Sequence, residues 1–306
     1  MEHQCYHIPV LLHPAVDGLH IKRDGIYVDV TLGGGGHSRE ILKQIGPKGK
    51  LFSFDQDKEA IRQVQEDARQ EEGRWTLINS NFRFLRNWMR YYQIEHIDGL
   101  LADLGVSSHH FDEAQRGFSF RSDAPLDMRM NQQANFTAAD IVRNYSQQQL
   151  ATIFRLYGEL HQAPRIAAAI VKARQQQTIS TTAQLAEILT PLLGHDREKK
   201  DLARAFQALR IEVNHEMDAL SEMLCAAADL LAPKGRLVVI AYHSLEDRLV
   251  KNIIRTGNLE GDLQQDIYGH VLNSFHPVGK PIVPDNDELT ANPRSRSARL
   301  RVAEKA

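Results

Sequence analysis

The chain has 306 residues, of which 42% are hydrophobic and 25% charged, and a formal net charge of −2. This is an ordinary globular composition, with room for one large or two ordinary domains. It excludes a generally basic nucleic-acid binder, so any nucleic-acid contact must come from local patches.

The opening MEHQCYHIPVLLHP has no basic segment followed by a long apolar stretch, so no signal peptide is expected. No apolar run approaches the roughly 18–20 residues of a membrane span. Cys5 and Cys225 are isolated, which suits a reducing cytoplasm and argues against a disulfide framework or a cysteine zinc site. GIYVDVT (Gly25–Thr31) predicts a buried strand, with a helix from Ser38. KLFSFD (Lys50–Asp55) predicts a second strand, Lys58–Gln70 a charged helix and TLINSNF (Thr76–Phe82) a third strand. From Phe82 the residues Phe82, Leu85, Trp88, Met89 and Tyr92 share one helical face, and HIDGLLADLG (His96–Gly105) predicts a fourth strand. This alternation implies an α/β fold, Rossmann-like, with a mostly parallel sheet.

The next buried strand is GRLVVIAYHS (Gly235–Ser244). About 130 residues intervene, where a simple crossover needs on the order of 30. The surplus has helical spacing, in Ala163–Ala173, in Leu185, Ile188, Leu189 and Leu192, and in Phe206, Leu209 and Val213. The expected organisation is therefore a cofactor-binding sheet domain from residues 1–108 and 215–306, with an inserted all-helical domain at 109–214. Glu216–Leu231 returns to the sheet as a crossover helix. A helix over Leu245–Arg255 and a strand over Ser297–Glu304 complete the chain.

DVTLGGGGHSREIL (Asp29–Leu42) is a glycine-rich strand-to-helix turn, the usual seat of a nucleotide. A P-loop would close on Gly-Lys-Ser/Thr, and here the glycines run into His37 and Ser38. A dinucleotide fingerprint needs a third glycine where Ser38 stands. Asp29-x-x-x-Gly33-x-Gly35 instead resembles the acidic-plus-glycine motif of class I methyltransferases, with Thr31 in place of the usual first glycine. Asp55 ends the second strand, 22 residues after Gly33, where a carboxylate can accept both ribose hydroxyls. The fourth strand ends in Asp103, at the edge that borders the ligand crevice, followed by Ser107 and Ser108 in ADLGVSS.

Seven blocks then occur in order: DVTLGGGGHS, DLGVSS, RGFSF (Arg116–Phe120), PLDMRM (Pro125–Met130), FQALRIEVN (Phe206–Asn214), HSLEDRLVK (His243–Lys251) and NPRSRSARLR (Asn292–Arg301). Together they resemble the RsmH/MraW family, the bacterial 16S ribosomal RNA (cytosine(1402)-N4)-methyltransferases, over nearly the whole chain. The resemblance implies a class I methyltransferase core with a helical insertion. It implies a cytoplasmic enzyme that transfers methyl from S-adenosyl-L-methionine to the exocyclic amine of one P-site cytidine, C1402, of the small ribosomal subunit. The partners it implies are 16S rRNA and the 30S ribosomal subunit, with no membrane; a homodimer is compatible with it. The family's cofactor contacts carry over to Gly35, Gly36 and His37, with Gly33 beside them, and to Asp55, Phe82 and Asp103. A further contact falls on His110, in SHHFD, where the family commonly has glutamine in SPQLD. Pro14 and Asn131 stand where the family usually has acidic residues.

Transfer to an amine needs in-line placement, a polar acceptor for the amine proton and a dry pocket; Asp103 is a candidate catalytic residue, and the sequence leaves open which group takes the proton. His243, at the end of the fifth strand, is a second candidate for contact with the cytosine. Carbon-5 methylation would need a cysteine nucleophile, and neither cysteine falls at the sheet's carboxyl edge. Arg116 and Arg129, interleaved with Phe118 and Phe120, are candidates for holding RNA or for packing against Asp123 and Asp127. Arg294, Arg296, Arg299 and Arg301, with few acids nearby in sequence, are the better phosphate candidates. Ser244 and Asp247 suggest a capping box for the next helix. His109-His110 lacks a ligand partner at helical spacing, so no metal is expected. The competing readings are a methyltransferase for another RNA or DNA amine, a non-catalytic assembly factor that binds the cofactor, and a dehydrogenase weakened by the missing glycine.

Overall fold

The computed structural model describes residues 9–105, 114–194, 197–263, 265–266, 268 and 273–306. The chain forms two units, one of Met1–Gly105 with Met217–Ala306 and a second of Val106–Glu216.

The first unit opens with α1 (Leu12–Gly18), β1 (Ile26–Asp29), α2 (Gly36–Gln44), β2 (Lys50–Asp55), α3 (Lys58–Gln70), β3 (Trp75–Asn79), α4 (Leu85–Tyr91) and β4 (Ile97–Asp103). The second unit holds α5 (Ala138–Asn144), α6 (Gln147–Leu156), α7 (Ala163–Arg174), α8 (Thr182–Leu189) and α9 (Glu198–Asn214). The chain then returns through α10 (Glu216–Leu230) to β5 (Leu231–Ala241), α11 (Ser244–Thr256), β6 (Phe275–Pro277), α12 (Asn286–Ala291) and β7 (Arg299–Lys305).

The sheet has the order β3-β2-β1-β4-β5-β7-β6. Strands β1 to β5 pair in parallel, and β7 runs antiparallel between β5 and β6. The order reverses between β1 and β4, and at such a point the crevice beyond the strands' carboxyl ends receives ligand. Side chains alternate between the two faces, as the two-residue period of a strand requires. Val28, Phe52, Phe54, Leu100, Leu237 and Val239 join the core under α4, α10 and α11. Tyr27, Leu51, Leu101, Val238 and Ile240 join the opposite core under α1, α2 and α3. Near-continuous apolar strands are what a sheet covered on both faces demands.

Three elements differ from the expectation. β5 starts at Leu231, four residues early, because its pairing with β4 resumes after an irregularity: Ile97 pairs Leu231, and Gly99 pairs Arg236. β6 escapes sequence reading because only Phe275 in it is buried. The insertion is not helical throughout. Between the short turn Ala114–Arg116 and Ala138 it is irregular apart from one bridge of Pro125 to Thr181.

The second unit has its own core, from Phe118, Leu126 and Met128 through Phe154, Ile166 and Leu185 to Phe206 and Leu209. Asn214, at the end of α9, ties the end of this unit back to its irregular segment. Its Oδ1 accepts from Met130 N at 2.7 Å, and its Nδ2 donates to Met128 O at 2.8 Å. α5 begins with a capping box in which Thr137 and Asp140 satisfy each other's free N–H groups. Thr137→Ala is expected to lower stability by about 1 kcal/mol, read from a urea midpoint at unchanged slope. Among the described residues no helix is long and apolar enough to cross a membrane.

Candidate active site

The apolar strands deliver three carboxylates to the carboxyl edge of the sheet: Asp29 on β1, Asp55 on β2 and Asp103 on β4. Asp29 is fully buried and builds the turn. It accepts from Thr31 N at 3.0 Å and Ser38 Oγ at 2.7 Å. Ser38 Oγ in turn meets Ser53 Oγ at 2.8 Å, which accepts from Trp75 Nε1 at 2.8 Å. Burial pushes the Asp29 carboxyl up, and the hydrogen bonds from Ser38 and Thr31 oppose that rise.

The glycines follow from this geometry. Gly35 has φ +78 and is the N-cap of α2, with no side-chain cap. A Cβ on Gly36 would stand 2.1 Å from Pro9 Cγ, so the backbone packs too closely for any other residue. A Cβ on Gly33 would meet nothing within 4 Å, so there the turn borders open space. Asp55 spans the turn, accepting from Gly33 N at 2.9 Å and Asp57 N at 2.8 Å. A carboxylate, with two oxygens and about four lone-pair sites, has the acceptor chemistry a diol needs. Phe82 begins a short turn after β3, half-buried on the core.

Asp103 is held from two sides. Its backbone N–H donates to Thr31 Oγ1 at 2.6 Å, across the point where the strand order reverses. Its Oδ1 accepts from the Tyr242 hydroxyl at 2.6 Å. Its Oδ2 faces His37 Nδ1 at 3.9 Å. Burial pushes the Asp103 carboxyl up to about 6; His37 and the Tyr242 hydrogen bond pull it down, while Asp29 and Glu246 add to the rise. His37 Nε2 donates to the Val10 carbonyl at 3.2 Å, and burial lowers the ring's pKa, so the neutral ring presents Nδ1 as an acceptor. Two acceptors facing each other across 3.9 Å are satisfied by a donor bridging them, such as an amine or ammonium.

The match with known proteins covers the same ground. A family model described as the MraW methylase family matches residues 4–306. The chain belongs to the MraW methylase family. Its relatives include the ribosomal RNA small subunit methyltransferase H of Bacteroides fragilis strain YCH46, 58% identical over 305 residues and 99% of each chain. The protein of that name from Bacteroides thetaiotaomicron is 58% identical over 98% of this chain and 97% of its own. That of Flavobacterium johnsoniae is 53% identical over 98% of each.

The sheet of this MraW methylase is that of class I methyltransferases, and the cofactor is S-adenosylmethionine. The residues present fit it. The uncapped start of α2 leaves free N–H groups for the methionine carboxylate. Asp55 suits the ribose diol, and the open space at Gly33 leaves room between them.

Other expected residues of the MraW methylase are placed differently. His243 is the N-cap of α11, with its ring engaged by Glu246. Its Nδ1 accepts from Glu246 N at 3.4 Å, and its Nε2 lies 3.2 Å from Glu246 Oε1. The capping box is therefore His243 with Glu246, not Ser244 with Asp247. Asp247 instead pairs with Arg301 at 2.7 Å and Arg299 at 3.3 Å, an acid that sequence distance hides. Arg116 is buried and donates to the carbonyls of Arg129 and Met130, which corrects its expected contact with RNA. Arg129 is engaged by Asp127 at 2.6 Å. Arg294, Arg296 and Arg299 are exposed, and Arg299 pairs with Ala241 at the carboxyl end of β5. His110, Ser107 and Ser108 lie outside the described residues.

Proposed function

We propose that this protein transfers the methyl group of S-adenosylmethionine to N4 of a single cytidine, C1402, in the 16S rRNA of the small ribosomal subunit. The observation that carries the proposal is Asp103, whose Oδ2 stands at the sheet's switch point facing His37, with Oδ1 already taken by Tyr242. Full-length relatives named ribosomal RNA small subunit methyltransferase H supply the substrate class.

When bound, the cofactor supplies an electrophilic methyl on a sulfonium. Asp55 would hold its ribose and the start of α2 its methionine carboxylate. Asp103 Oδ2 would accept a hydrogen bond from the target amine and take the proton that nitrogen releases as it gains the methyl. The base reaches this site only when unstacked. Arg294, Arg296 and Arg299, on the exposed approach to the same edge, hold phosphates. Cys225 lies within α10 rather than in a turn after a strand, so it is not placed for carbon-5 chemistry.

Tritiated S-adenosylmethionine with purified 30S subunits tests the proposal. Label at N4 of one cytidine is the expected result. Cofactor binding with no transfer to RNA would favour an assembly factor, and label on another amine would replace the substrate.

A further inference from the structure

Tyr242 follows directly on β5 and lies outside the family-like blocks in the sequence. It is fixed at three points. Its backbone N–H donates to Glu246 Oε2 at 2.8 Å, and Glu246 is a buried residue of α11. Its ring lies over Gly105, where a Cβ would approach Tyr242 Cδ2 to 3.3 Å; Gly105 has φ +95, a backbone state that favours glycine. Its hydroxyl donates to Asp103 Oδ1 at 2.6 Å. A phenol with an ordinary pKa near 10 is a donor at neutral pH, and burial beside Asp103 raises this one well above that value.

We infer that Tyr242 is a positioning residue for methyl transfer: its hydroxyl fixes the Asp103 carboxylate so that Oδ2 alone points at the target amine. The inference rests on the methyl-transfer reading above. Thr31 sets the position of the Asp103 main chain, and Tyr242 sets the rotation of its carboxylate. Removing the phenol leaves the carboxylate free to turn. It also removes a hydrogen bond that favours the ionised form, among neighbours that include His37 on α2, Asp29 on β1 and Glu246 on α11. Glu288 of α12 adds to the negative charge around the phenol itself.

Tyr242→Phe keeps the ring over Gly105 and the backbone bond to Glu246. Single-turnover methylation of 30S subunits from pH 5 to 9 should show an acid limb displaced upward by about one unit, since a hydrogen bond to a charged group is worth roughly that much. At pH 7 the rate should fall about tenfold and recover part of the loss at pH 9, with cofactor affinity unchanged within about twofold. A purely structural tyrosine would lower the rate equally at every pH and leave the limb in place, which would overturn the inference. The Asp103 carboxyl resonance, followed by carbon-13 NMR in the free protein, tests the tie apart from the reaction. A higher titration midpoint in Tyr242→Phe supports it and an unchanged midpoint refutes it, even where wild-type protein transfers no label and the functional reading itself fails. Tyr242→His, which retains a donor, should restore part of the rate.

Discussion

Asp103→Asn is expected to lose methyl transfer by about 10²–10⁴-fold, the range that removal of a positioned acid or base spans, while gaining stability at neutral pH. Asparagine keeps an oxygen for the Tyr242 hydroxyl and a backbone N–H for Thr31, so the turn is preserved. It cannot take a proton from the amine. The gain in stability follows from the raised carboxyl. In the folded protein Asp103 titrates at about 6, against 3.8 for an unburied aspartate. The folded state therefore binds this proton more tightly than the unfolded state. Folding becomes less favourable as pH rises from about 4 to 6, and the deficit stays constant above that window. The asparagine variant escapes it. Its melting temperature should exceed that of wild type at pH 8, and the gap should close towards pH 4. A variant that keeps full activity with normal cofactor affinity would remove Asp103 from the chemistry. A stability gap that does not change with pH would contradict its buried ionisation.

Asp55→Ala is expected to weaken S-adenosylmethionine binding by roughly 10²–10³-fold. Two hydrogen bonds from a ribose diol to a carboxylate are worth about 1.5–3 kcal/mol each, partly offset by water that enters the vacated site. The same carboxylate accepts from Gly33 N and Asp57 N, so its loss also loosens the turn proposed to hold the methionine end. Calorimetric titration checks this directly. Asp55→Asn, which keeps one acceptor oxygen, should fall between wild type and alanine. A dissociation constant within threefold of wild type in Asp55→Ala would place the ribose elsewhere.

The central strands are legible because a parallel sheet buried on both faces writes itself as short apolar runs, and because the polar residue that ends each run marks the crevice edge. Asp55 and Asp103 stand out that way. Tyr242 does not, because an aromatic residue at a strand end looks like one more core residue, and only the fold brings its hydroxyl to Asp103. Thr31 registers only as a departure from a glycine motif; its use as an acceptor for Asp103 N needs the neighbouring strand. His243 misleads for a different reason. Histidine is not among the favoured N-cap residues, so sequence reading puts the capping box at Ser244, one position late. The arginines near the carboxyl terminus look unpaired in sequence because Asp247 lies 52 and 54 residues before Arg299 and Arg301.

The two hydrogen-bonded ties made by Asn214 bear on the order in which the chain folds. They join points 84 and 86 residues apart, over a segment with an apolar core of its own. Pairing β4 with β5 across an unstructured connection of about 130 residues would carry the entropy of closing that whole loop. If the insertion has already formed, the loop shrinks to about 45 residues, some one and a half halvings, and the closure is easier by about 0.9 kcal/mol. The expected sequence is local helices first, their ends drawn together at Asn214, and the long-range β4–β5 pairing afterwards. The carboxyl edge, and with it the reach from Tyr242 to Asp103, would then be among the last parts of the molecule to form.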